Sequence, residues 1–157
     1  MTKKNGETHD AKKTKMEIIH VCIAVRDVYE SAKTIERLTG IGPFEIFEPD
    51  YTNMTLHGKP ADFKMRFGFA QAGPIRLELA QVLSGETIYD EFVKRKGYCL
   101  HHIGIRIDNI EQTVREMEAR GIRVTESGMR PGVKFAYLDT EEHIGVILEV
   151  IERRDPT

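Results

Sequence analysis

The chain reads as an α+β protein in which two paired βαβββ modules form an open, barrel-like sheet around a metal cavity. Three observations predict this. A short pattern occurs twice, as His20-Val21-Cys22-Ile23-Ala24-Val25-Arg26-Asp27-Val28 and as His102-Ile103-Gly104-Ile105-Arg106-Ile107-Asp108-Asn109-Ile110. Each copy closes on a carboxylate set among apolar residues, Ile75-Arg76-Leu77-Glu78-Leu79 and Val146-Ile147-Leu148-Glu149-Val150. Between these landmarks the hydrophobic period changes from that of a strand to that of a helix and back, in the same order in both halves. One βαβββ unit is too small to cover both faces of its own sheet, whereas two side by side enclose a cavity.

Taken in order, Ile18 to Val25 alternates as a strand, with His20, Cys22 and Ala24 on one face and Val21, Ile23 and Val25 on the other. Asp27 is a fitting N-cap, and Val28, Ala32, Ile35 and Leu38 recur at helical spacing until Gly40. Phe44 to Phe47 is a short strand, and Pro49 to Pro60 a loop of turn formers. Phe63 to Ala70 is a strand with Phe63, Met65, Phe67 and Phe69 on one face and Lys64, Arg66 and Gly68 on the other. Ile75 to Val82 follows the turn Ala72-Gly73-Pro74. A connecting helix over 86–97 presents Ile88, Phe92 and Val93. The second half repeats the order: a strand over Leu100 to Ile107, a helix over Ile110 to Ala119, and strands at Ile122 to Glu126, Val133 to Leu138 and Gly145 to Ile151, with a turn at Gly128 to Gly132. Residues 1–15 read as a disordered tail and 16–157 as one domain, with module one over about 18–83 and module two over about 100–152.

The bulk properties narrow the class. With 157 residues, 40% of them hydrophobic, the chain can build a real core. A net charge of -2 favours neither nucleic acid nor a membrane surface as partner. No apolar run approaches the roughly 20 residues of a spanning helix. Two cysteines, Cys22 and Cys99, are no disulfide framework, and a cytoplasmic protein is expected.

His20, Glu78, His102 and Glu149 fall at matching places in the two copies, on the faces expected to turn inward. Two imidazoles and two carboxylates suit one divalent transition metal (Zn, Ni, Co or Mn, with Fe less favoured) and are too nitrogen-rich for Mg or Ca. Taken singly, a strand histidine is usually satisfied by a hydrogen bond and a strand glutamate by water; it is the repetition that groups them. Alternation puts His101 on the opposite face from His102, packed against a helix or hydrogen-bonded at the module junction. Cys22 reads as a small residue of the barrel interior.

These motifs, with Ile88-Tyr89-Asp90-Glu91-Phe92 running into Gly97-Tyr98-Cys99-Leu100-His101-His102-Ile103-Gly104, resemble the vicinal oxygen chelate superfamily of glyoxalase I, methylmalonyl-CoA epimerase, extradiol dioxygenases and bleomycin-resistance proteins. The resemblance covers about Ile18 to Glu152 and is closest to methylmalonyl-CoA epimerase. It implies a metal held by His20, Glu78, His102 and Glu149, with Glu149 and Glu78 moving a proton next to a carbonyl through an enolate. It also implies a small-molecule substrate, an acyl-CoA or a glutathione adduct, and a homodimer. Arg66 and Lys64 are candidate substrate contacts; Arg66 falls near the place of the epimerases' second acid–base glutamate, for which Glu45 or Glu48 is a candidate substitute. The glutamate at 78 also matches bacterial glyoxalase I, a lactoylglutathione lyase. A dioxygenase and a metal-free binding protein of the resistance type are the remaining alternatives.

Overall fold

Strand alternation and capped helices build each half. The computed structural model describes residues 15–154; the tail expected over 1–15 lies, except for Lys15, outside them. Module one comprises β1 (Glu17–Ala24), α1 (Val28–Thr39), β2 (Glu45–Phe47), the short hairpin β3 (Thr52–Leu56) and β4 (Lys59–Pro60), then β5 (Lys64–Ala72) and β6 (Ile75–Ser84). Helix α2 (Ile88–Lys96) leads to module two: β7 (Leu100–Ile107), α3 (Ile110–Glu118), β8 (Val124–Arg130), β9 (Val133–Leu138), α4 (Glu141–Ile144) and β10 (Ile147–Arg153).

The helices start where side chains can satisfy their free N–H groups. Asp27 accepts from Glu30 N at 2.9 Å to begin α1, and Asn109 accepts from Gln112 N at 2.8 Å to begin α3. Gly40 ends α1 in the left-handed conformation. The apolar stripe of α1, Val28, Ala32 and Ile35, packs on Leu79, Ile23 and Ile46. That of α3, Ile110, Val114 and Met117, packs on Ala136, Leu138 and Val150. Both helices therefore cover the outer face of the sheet.

The strands form one curled, mixed half-barrel in the order β2-β5-β6-β1-β7-β10-β9-β8-β3-β4. Each module places its strands in the same relative order, with β1 parallel to β6 and β7 parallel to β10. The modules meet where β1 and β7 pair antiparallel, His20 opposite Gly104 and Cys22 opposite His102. This register makes an approximate two-fold relation: His20 corresponds to His102, and Cys22 to Gly104. Each of the two strands slips by one residue just before its histidine, at Ile19 and at His101.

Two parts differ from the sequence expectation. The segment 49–60 is no simple loop: β3 pairs with β8, Thr55 opposite Ser127, so the chain crosses from one edge of the curled sheet to the other. Its pattern hides this because positive φ at Asn53 and His57 breaks the alternation. Strand β8 also runs on to Arg130 instead of stopping at Glu126, because Gly128 and Met129 pair with β9; the turn shrinks to Pro131 and Gly132.

Helix α2 closes one end of the barrel, inserting Ile88, Tyr89 and Phe92 into the cluster that holds Cys22, Ala24, Met65 and Ile147. Thr87 and Asp90 cap it reciprocally. The Ile88 N–H donates to the buried Glu126 carboxyl at 3.0 Å. Burial raises the Glu126 pKa to about 8, the Ile88 bond opposing this only in part. An unfolded chain ionises Glu126 near 4.5, so between there and about pH 8 the native state binds the extra proton and stability falls as pH rises. Glu126→Gln keeps the acceptor for Ile88 and removes this titration. In urea unfolding the variant is expected to match the parent at pH 4.5 and to exceed it by a margin that widens up to about pH 8.

Candidate metal centre

The inner face of the central strands gathers the expected ligands. His20 Nε2 and His102 Nε2 lie 2.9 Å apart, with ring planes at 78°. Glu149 Oε2 is 3.1 Å from His20 Nε2 and 3.2 Å from His102 Nε2. Glu78 Oε2 is 3.3 Å from His20 Nε2. All four residues are buried. Their positions obey the two-fold relation: Glu78 lies beside Cys22 on β6, and Glu149 beside Gly104 on β10.

Small residues at 22 and 104 make this possible. A Cβ on Gly104 would stand 2.1 Å from His20 Cε1, so the His20 ring lies directly over the bare backbone of β7. The irregularity at His101 matters as well. Strict alternation would turn that side chain to the outer face, but the bulge aims it toward α2. There it stacks on Tyr89 with centroids 4.0 Å apart and meets Phe92 edge-on. His101 Nδ1 is 3.0 Å from His102 Nδ1. Burial, and then the neighbouring His102, push the His101 pKa down to about 2, so it is neutral. Without an ion, His102 Nε2–H donates to Glu149; with an ion in its place, a neutral His101 would accept from His102 Nδ1–H and free the His102 Nε2 lone pair for the ion.

Burial alone would lower the His20 pKa, but the Glu78 charge and the Glu149 hydrogen bond outweigh it and raise it. Burial would raise the pKa of Glu149; hydrogen bonds from His102 and His20 overcome this and hold it well below the carboxylate range. Two imidazole nitrogens face each other at hydrogen-bond distance with carboxylate oxygens against them, an arrangement that either shared protons or a cation can hold together. One proton satisfies one such contact, whereas a divalent ion satisfies them all. Donors bonded at about 2.1 Å to one ion are ~3.0 Å apart at right angles and ~3.4 Å apart in a tetrahedron. The observed separations, 2.9 to 3.3 Å, fit this range. His20, His102 and Glu149 form one group able to hold an ion; Glu78 falls in a second, with Cys22 and His102. Burial, followed by the Glu78 charge, drives the Cys22 thiol pKa far up.

The surrounding cleft has a volume of about 40 Å³, opens to solvent and is lined by aromatic residues, among them Phe47, Tyr51, Phe67, Phe69 and Tyr137. Lys64 and Arg66 are not in its wall, which corrects their expected role as substrate contacts. Met65, Phe67 and Phe69 take the inner face of β5, so alternation sends Lys64 and Arg66 outward. Arg66 donates to Glu48 at 2.6 Å and lies over the Tyr29 ring of α1. Glu48 and Glu45 do not line the cleft either. The inner face of β5 is apolar, with Met65, Phe67 and Phe69 turned inward.

A family model described as the Glyoxalase/Bleomycin resistance protein/Dioxygenase superfamily matches residues 19–137. The chain belongs to that superfamily. The Bacillus subtilis (strain 168) protein YqjC, itself uncharacterised, is 24% identical over 137 residues, covering 85% of this chain and 89% of YqjC. Among solved structures, hypothetical protein BH1468 from Bacillus halodurans C-125 superposes with a TM-score of 0.65 at 20% identity, covering 90% of this chain and 97% of that one. Methylmalonyl-CoA epimerase from Mycobacterium tuberculosis superposes with a TM-score of 0.65 at 15% identity, covering 88% of each chain.

In this superfamily member the sequence brings together the two histidines and two glutamates, but other cleft residues escape it. Tyr51 reaches the cleft through the chain crossing at 48–51, which no local pattern announces. Arg153 shares the inner face of β10 with Glu149, and Arg130 that of β8 with Glu126; their parity was a readable signal once those strands were extended. Gly104→Ala tests the close approach of ring and backbone. The substitution is expected to displace His20 and weaken Zn²⁺ or Ni²⁺ binding at least tenfold by calorimetry, whereas Gly121→Ala, remote from the site, leaves it unchanged.

Proposed function

We propose that the protein is a metal-dependent isomerase that moves a proton on a carbon next to a carbonyl, in the manner of an epimerase. The observation that carries this reading is the paired placement of Glu78 and Glu149, on strands flanking the central pair, both within 3.3 Å of His20 Nε2. A divalent metal held by His20, His102, Glu149 and Glu78 would supply Lewis-acid polarisation of the substrate's carbonyl oxygen. Glu149 takes the proton from the substrate carbon, and Glu78 is the partner group that returns one to the opposite face. His101 keeps the His102 tautomer fixed, and the walls formed by Phe67, Phe69 and Tyr137 limit water around the exchanging proton.

The epimerase form of the reading is supported by the similarity in fold to methylmalonyl-CoA epimerases and by the histidine pair opening β7. A glyoxalase I reading, with a glutathione adduct as substrate, is favoured by one observation, a glutamate instead of a glutamine at 78.

Elemental analysis of the purified chain is expected to find about one Zn, Ni, Co, Mn or Fe per chain, lost in His102→Ala. The loaded protein is then assayed with methylmalonyl-CoA and with the methylglyoxal–glutathione adduct. Glu149→Gln should keep its fold and lose about 10²- to 10⁴-fold in turnover of whichever is a substrate. Undiminished turnover by that variant, or a wild type that takes up no metal after dialysis against these ions, would refute the reading.

A further inference from the structure

The two-fold relation also exchanges the two ends of the barrel, and these ends differ in chemistry. On the α2 side lie Met65 paired with Val82, and Ile147 beside His102. Their counterparts on the other side are Val133 paired with Arg153, and Arg76 beside His20. The first end is apolar and plugged by Tyr89 and Phe92. The second end is open and carries arginines where the first carries Val82 and Ile147.

The arginines form an ordered row. Val133 lies in the cleft wall, and its two cross-strand neighbours are Arg130 on β8 and Arg153 on β10. Residues directly opposite across strands share a face, so both arginines turn toward the cleft, and both line it. Across the mouth the Arg76 guanidinium lies 4.4 Å over the Phe69 ring, which also meets His20 edge-on.

Among the described residues neither Arg130 nor Arg153 has an ion pair or hydrogen-bond partner. Nearby basic residues are paired: Arg66 with Glu48, Arg106 with Glu17, and Lys134 with Glu111. Partial burial, and then Arg76 and Arg130, hold the Arg153 pKa below the ordinary arginine range. Positive charge is thus gathered at the mouth with no described carboxylate in hydrogen-bond contact with either arginine, the Glu149 charge reaching Arg153 only from a distance, and such a field draws and orients anions.

We propose that Arg130 and Arg153, flanking Val133, dock the carboxylate or phosphate of a compact substrate whose apolar body lies along Phe47, Phe67 and Phe69. This rests on the proposed isomerase site, since it gives that site's substrate a terminal anion remote from the reacting carbonyl. Arg153 lies four residue steps beyond Glu149, about 13 Å along a strand at ~3.3 Å per residue, and the arginine side chains span part of that gap. An anion and a carbonyl separated by roughly one ring or a short chain fit between them. Guanidinium groups match the planar oxygens of either anion.

Calorimetric titration tests the dock with three probes: 3-phenylpropanoate, phenyl phosphate and the neutral 3-phenylpropanamide. Each is run on chelator-treated and on Zn²⁺-loaded full chain. At least one anion is expected to bind even to the metal-free protein, and the amide at least tenfold more weakly. Arg130→Gln with Arg153→Gln should weaken anion binding tenfold or more, Arg153→Lys should keep part of it, and Lys64→Gln on the outer face should change nothing. The preferred anion tells a carboxylic acid from a phosphate ester. The proposal is overturned if neither anion binds, if the amide binds as well, or if the double variant, folded by circular dichroism, binds anions like the wild type. Arginine-dependent binding in a protein that takes up no metal would leave the dock standing and remove the isomerase. Metal uptake without anion binding would do the reverse.

Discussion

Two imidazole nitrogens 2.9 Å apart in a buried setting repel unless a cation or a shared proton lies between them, and most of the architecture serves to hold them there. The antiparallel pairing of β1 with β7 brings the rings together, one from each module. Cys22 and Gly104 clear the space opposite each ring. The carboxylates arrive on the next strands out, and α2 fixes His101 behind His102. Remove the close approach at Gly104, and the His20 ring, its contact to Glu149 and the register that carries both have to adjust together.

The duplicated outline was legible because it rests on local signals. Period-two alternation set the inner face of β1 and β7, and Asp27, Asn109 and Gly40 marked the helix ends. The four candidate ligands could be grouped because each recurs at a matching place in its copy. What stayed hidden depends on pairing between distant segments. Alternation alone sent His101 outward, since a one-residue slip in pairing with β1 leaves no trace in the residues of β7. The same rule was right about the two faces of β5, but which of them turns inward is set by packing and not by alternation. Phe67 and Phe69 took the cleft and left Arg66 to Glu48 and Tyr29 on the outer side. The crossing at 48–51, and with it Tyr51, is set by where β3 finds a partner.

The repeat is most faithful at its middle and least faithful at its ends. Near the axis, histidine answers histidine and glutamate answers glutamate. One strand step away the correspondence is of position only: Phe69 answers Tyr137, whose hydroxyl is 2.8 Å from that of Tyr89. Farther out, Val82 answers Arg153. Copies that share a binding centre are held alike where both touch it, while the plugged end and the open end are free to take opposite chemistry.

The strand pair β3–β8 ties this architecture in a way the repeat alone would not. Thr55 Oγ1 and Ser127 Oγ, 72 positions apart, meet at 2.8 Å, so the outer edge of the second module is stitched to a hairpin encoded within the first. During synthesis at about 5–20 residues per second, that hairpin waits roughly 4–14 s for its partner strand to emerge. A chain cut at the junction between modules would leave β8 with a bare edge, open to pairing with other chains. The two halves, alike in plan, are therefore no longer separable folding units.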